Sequence, residues 1–211
     1  MLVEQREEVS VMDEYLSELK MSKTRDKKVG ITDIAISKVP FIKYHGFDEN
    51  RNYIMQELAK DVLRLSKDEN DSNEVAITCD LGCDNPLEEF GVALGTEHEV
   101  DILADTFSNH IIVSQKSVAV VVLHNHPSTQ TFSLQDIRFF LEYPMLEVIV
   151  VVSNQGTVHY LMRDEGYDYQ QAFLLFKDCI GDLSKESSTK DLYLASLSFL
   201  AKCSEVGLYY R

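Results

Sequence analysis

The chain has no apolar run long enough to span a bilayer, and its first twenty residues are rich in acids instead of showing a signal-peptide pattern. Both absences point to the cytoplasm, with no membrane partner expected. Positive charge is also scarce: 20 Lys and Arg stand against 35 Asp and Glu, for a net charge of −15 and a pI near 4.7. No stretch gathers enough cations to make a phosphate-binding face. Affinity for nucleic acid rests largely on neutralising phosphates, so nucleic acid is not an expected partner. An acidic surface suits a basic protein partner, or simply solubility. Cysteines are few, and Cys79, Cys83, Cys179 and Cys203 form no paired C-x-x-C clips. They read as small reduced thiols, in keeping with the cytoplasm. Internal repeats and low-complexity tracts are missing as well. What is present is 211 residues of 45% hydrophobic content, enough for one domain, or one domain with a helical extension.

The stretch that organises the rest is 118–136, VAVVVLHNHPSTQTFSLQD. Val118 to Leu123 is a β-branched run of strand length that delivers His124 and His126 at its end. Side chains at i and i+2 of a strand share a face, so both imidazoles aim at one point. Pro127, with no N–H to donate, ends the ladder. Ser133 opens a helix as its N-cap, which puts Asp136 at the third position of the first turn. Two His from a strand end and one Asp from the next helix make a ligand set for a catalytic zinc ion with one open position. The bland alternative is a pair of half-exposed imidazoles at a strand end.

At these residues the sequence resembles the JAB/MPN (JAMM) zinc metalloprotease superfamily, and most closely its RadC-like bacterial branch, where HNHPS followed by S-x-x-D is typical. The resemblance covers about residues 50–163. It implies that His124, His126 and Asp136 hold zinc, that Ser133 helps stabilise an oxyanion, and that an upstream Glu is the general base. Glu74, which opens EVAITCD 50 residues before His124, is the choice for that base. Glu88, Glu89, Glu97 and Glu99 are the substitutes. One departure is visible: Asp136 lies 10 positions after His126, where the family usually has one more. The implied fold is α/β of the cytidine-deaminase-like JAB/MPN type, a central mixed sheet flanked by helices, with helical N- and C-terminal additions. The implied activity is zinc-dependent hydrolysis of an amide or isopeptide bond, with a protein or peptide substrate such as a ubiquitin-like conjugate. A catalytically inactive JAB/MPN scaffold is the alternative, and a phosphodiester or nucleotide hydrolase on the same metal is disfavoured by the acidic chain.

In chain order, 1–47 is expected to be a helical and extended segment, 48–163 the metallohydrolase domain and 164–211 a helical extension. An amphipathic helix is expected over 3–22, a short strand at ITDIAI, and a well-marked helix from Asp48 with Ile54, Leu58, Val62 and Leu65 on one face. EVAITCD and EFGVALG are expected to pair as a hairpin through Asp84, Asn85 and Pro86. A helix follows from about Ala104, then the His strand, then two strands around Ser153 to Gly156. The last forty residues read as two helices that either complete the core or make an oligomer interface, and self-association through the helices of both ends is expected. His98, His110 and His159 have no partner at metal-ligand spacing.

Overall fold

The structure, a computed structural model, describes residues 28–114, 116–184 and 186–211. The helix expected over 3–22 lies outside the described residues. A one-turn helix α1 (Asp33–Ser37) precedes the long helix α2 (Glu49–Glu69), which Asp48 caps by accepting from the Arg51 N–H. Strands β1 (Val75–Asp80) and β2 (Phe90–Leu94) form the expected antiparallel hairpin. A 3-10 turn (Ile102–Ala104) leads to helix α3 (Thr106–Val113), started by Asp105 as its cap. Then come β3 (Val120–His126), α4 (Leu134–Glu142), β4 (Leu146–Ser153) and β5 (Val158–Arg163). Helices α5 (Tyr169–Ile180) and α6 (Thr189–Lys202) follow, and the chain closes with the short strand β6 (Leu208–Tyr210).

The six strands make one mixed sheet in the order β2-β1-β3-β4-β5-β6, in which only β3 and β4 run parallel. The parallel pair needs a crossover, and α4 supplies it. Strand β3 is buried at all its positions because both sheet faces are covered. Val120 and Val122 join Ile137, Phe140, Phe176 and Phe199 on the face covered by α4, α5 and α6. Val121 and Leu123 join Met55, Leu58, Val62 and Leu63 of α2 on the other. Each such side chain contributes about 1.5–3 kcal/mol by leaving water, which fixes the strand's register in the sheet centre. The terminal helices α5 and α6 therefore complete the core. No helix among the described residues is long and apolar enough to cross a membrane.

Two expectations are corrected. ITDIAI is a helix and not a strand: Thr32 accepts from the Ala35 N–H as an N-cap, and the side chains divide with helical spacing, Ala35 and Ile36 in, Ile34 out. Local capping thus overrides the β-branched composition. The C-terminal segment is not helical to its end. Gly207, at φ 74°, stops the chain after α6, and an added Cβ there would meet the Gly166 carbonyl carbon at 2.2 Å. Residues Leu208–Tyr210 then reverse to extend the sheet along β5.

Arg163, at the end of β5, fixes the far end of α4. Its Nη1 donates to the carbonyls of Pro144 and Leu146, its Nη2 to those of Phe140 (2.7 Å) and Tyr143 (3.1 Å), and it lies over the Phe140 ring. A cation on the exposed carbonyls of a helix C-terminus satisfies groups with no partner in the helix itself.

Candidate metal centre

Alternation along β3 sends His124 and His126 to the α4 side of the sheet and Asn125 to the other. The two Nε2 atoms come within 3.1 Å of each other, with the rings edge to face. Asp136 reaches them from the first turn of α4, where Ser133 is the expected N-cap and the two side chains form a capping box. Its Oδ1 lies 3.2 Å from His124 Nε2 and its Oδ2 3.4 Å from His126 Nε2. Oδ2 also accepts from the Ser133 N–H and hydroxyl, both at 2.7 Å, so the carboxylate is held by its own helix cap. The loop that is one residue short of the family pattern still brings all three side chains together.

These donors fit a metal ion. Donor atoms of the three residues lie within 4.8 Å of one another. A tetrahedral ion with ligands at ~2.0–2.1 Å separates its donors by ~3.3 Å; the two imidazole nitrogens stand 3.1 Å apart, and the carboxylate turns one oxygen to each, Oδ1 to His124 at 3.2 Å and Oδ2 to His126 at 3.4 Å. Nitrogen and carboxylate donors suit several divalent metals, so the set does not itself choose one. His126 Nδ1 lies 3.3 Å from the Gln130 carbonyl, the kind of outer contact that fixes a ligand's tautomer, while His124 Nδ1 has no partner among the described residues.

Electrostatics follow from this crowding. Burial disfavours ionised Asp136, but the two imidazoles outweigh it and hold the carboxyl well below the usual range. Burial likewise works against charge on His126, yet the hydrogen bond and charge of Asp136, aided by Glu74, lift it to about 9. Without a metal, the centre is a buried imidazolium–carboxylate pair.

The centre lies in a cleft of about 920 Å³. Glu74 lines it, only 8% exposed, one residue before β1. Its N–H donates to the Thr96 carbonyl and its own carbonyl accepts from Gly95, so the backbone continues the β1–β2 ladder. Burial, with Asp136 and Glu99 adding repulsion against the pull of His126, raises its carboxyl to about 7. Of the substitutes for the base, Glu97 and Glu99 line the same cleft, while Glu88 and Glu89 lie outside it in the β1–β2 connection. His98 lines the cleft without joining the donor group; His110 sits on α3, and His159 stacks on Tyr210. The Ser133 hydroxyl, expected to face an oxyanion, gives its proton to Asp136 in this arrangement. The cysteines are free thiols, as expected.

Two residues at the centre carry no warning in the sequence reading. Asn125, fully buried behind the His pair, donates from Nδ2 to Ser66 Oγ, the Asn73 carbonyl and Asn154 Oδ1, and accepts at Oδ1 from the Val75 N–H. Asn154 in turn donates to the carbonyls of Val29 and Ser72, and its N–H to that of His126. The available signal was an amide in a strand whose other inward positions on that face are Val121 and Leu123. Comparisons with protein-family models, curated proteins and solved structures find no match for this chain.

Proposed function

We propose that the chain is a zinc-dependent hydrolase of amide or isopeptide bonds, of the JAMM type that the HNHPS and S-x-x-D motifs resemble. The observation that carries the reading is the convergence of His124, His126 and Asp136 in a cleft that Glu74 also lines. Bound zinc would supply a Lewis acid and a water whose pKa falls to about 7. His124 and His126 would hold the ion from a strand buried on both faces, and Asp136 would complete the set, its orientation fixed by Ser133. Glu74, with a carboxyl raised to about 7, is poised to take a proton during attack and return it to the leaving amine. A protein or peptide, including a ubiquitin-like conjugate, is the substrate class that the resemblance implies, and a cleft of about 920 Å³ has room for a few residues of one.

The test is metal content of the purified chain by elemental mass spectrometry, with His126→Ala alongside, followed by amide cleavage assays on the loaded protein. About one zinc per chain, lost in the variant, is the expected result. No zinc after reconstitution would favour the inactive scaffold reading instead.

A further inference from the structure

Backbone pairing between β1 and β3 runs from Asp80 and Val120 to Ala76 and His124 and stops there. Continuing that register would set Glu74 opposite His126, yet the join beyond Ala76 is made by a side chain. Asn125 accepts from the Val75 N–H at 2.7 Å and donates to the Asn73 carbonyl at 3.0 Å. These are the two residues flanking Glu74, and Asn125 itself is flanked by the two His. The turn leading into this join is strained, with Asp71 at φ 49° and Ser72 at φ 60°. Asn154 holds the Ser72 carbonyl at 2.9 Å and Asn125 at 2.8 Å, so the amide pair holds a backbone that L-residues rarely adopt.

Resting on the hydrolase reading above, we propose that Asn125 is a positioning residue that sets the distance between the Glu74 carboxylate and the metal held by His124 and His126. His124 is paired with both β1 and β4 and His126 with β4, so the ligands keep their place in the sheet without this amide. Glu74 does, on its β3 side. Losing the amide would therefore loosen the base relative to the ion while leaving the ion bound.

The test is a double-mutant cycle read as zinc affinity, by competition with a chromophoric chelator, in the full chain. In the native background Glu74→Gln should weaken zinc about tenfold, as loss of an outer-shell carboxylate does. In the Asn125→Ala background the same change should cost less than about twofold. If circular dichroism shows that Asn125→Ala does not fold, Asn125→Ser replaces it. Ser66→Ala, which removes one Asn125 partner and one of two donors to the Asn73 carbonyl but neither bond that Asn125 makes to the residues flanking Glu74, should lower stability and keep the tenfold ratio. A ratio unchanged in the Asn125 variant, or lost equally in Ser66→Ala, overturns the inference. So does a Glu74→Gln change without effect in the native background, or a folded Asn125 variant that loses zinc altogether. Failure of the native chain to bind zinc overturns the hydrolase reading and this inference with it.

Discussion

Replacing Glu74 by Gln should stabilise the metal-free protein, and only above a defined pH. Burial raises the Glu74 carboxyl from an ordinary 4.5 to about 7. The folded chain therefore binds this proton more tightly than the unfolded chain does, and the stability so gained is complete below pH 4.5. It is lost as pH rises through 7, where the carboxylate must ionise inside the cleft. At about 1.4 kcal/mol per pH unit, ionised Glu74 costs the folded state about 3 kcal/mol at pH 8. Glutamine has nearly the same shape and no charge to desolvate. The difference in stability between Glu74→Gln and the native chain should thus grow by about 3 kcal/mol from pH 4.5 to pH 8. In a chain of this size that is a gain of ~6–12 °C in Tm.

The assay is urea unfolding of both proteins across this range with a chelator present. Their difference removes every other titration they share. An offset that does not change with pH would mean that Glu74 is solvated and no base poised near neutrality. An offset growing toward acid would reverse the sign of its burial. Repeating the series with excess zinc should shrink the advantage of Gln at pH 8, since a divalent ion favours the ionised carboxylate.

Zinc affinity should itself depend on pH, because His126 is raised to about 9 by Asp136 and must lose its proton to bind. Below pH 9 the apparent affinity should fall about tenfold per pH unit, measured by chelator competition between pH 6 and 8. A flat profile would remove the imidazolium–carboxylate pair from the account. Ser133→Ala should lower stability by about 1 kcal/mol through loss of the helix cap. It should also weaken zinc by about tenfold or more, because Asp136 Oδ2 loses its hydroxyl donor. Arg163→Met should cost about 3 kcal/mol in urea unfolding, because the carbonyls of Phe140, Pro144 and Leu146 lose the guanidinium together, while that of Tyr143 keeps the Leu146 N–H.

What was legible in the sequence was whatever one element dictates by itself. His124 and His126 share a face because a strand alternates, and Asp136 follows Ser133 because a capping box has a fixed spacing. The helix from Asp48 and the two hairpins needed only periodicity and turn residues. Illegible were the features decided by elements far apart in the chain. The tail LYY has too few residues to announce a strand, and it becomes one because β5 offers an open edge and Gly207 turns the chain toward it. ITDIAI has strand composition, and the hydroxyl of Thr32 tips it the other way. Asn125 is the sharpest case, since its four partners come from residues 66, 73, 75 and 154. A motif read as ligands and spacers treats the residue between two His as a spacer. In the folded chain that spacer points to the other face of the sheet and ties the strand bearing the ligands to the residues on either side of Glu74, so the second face of a motif strand can matter as much as the first.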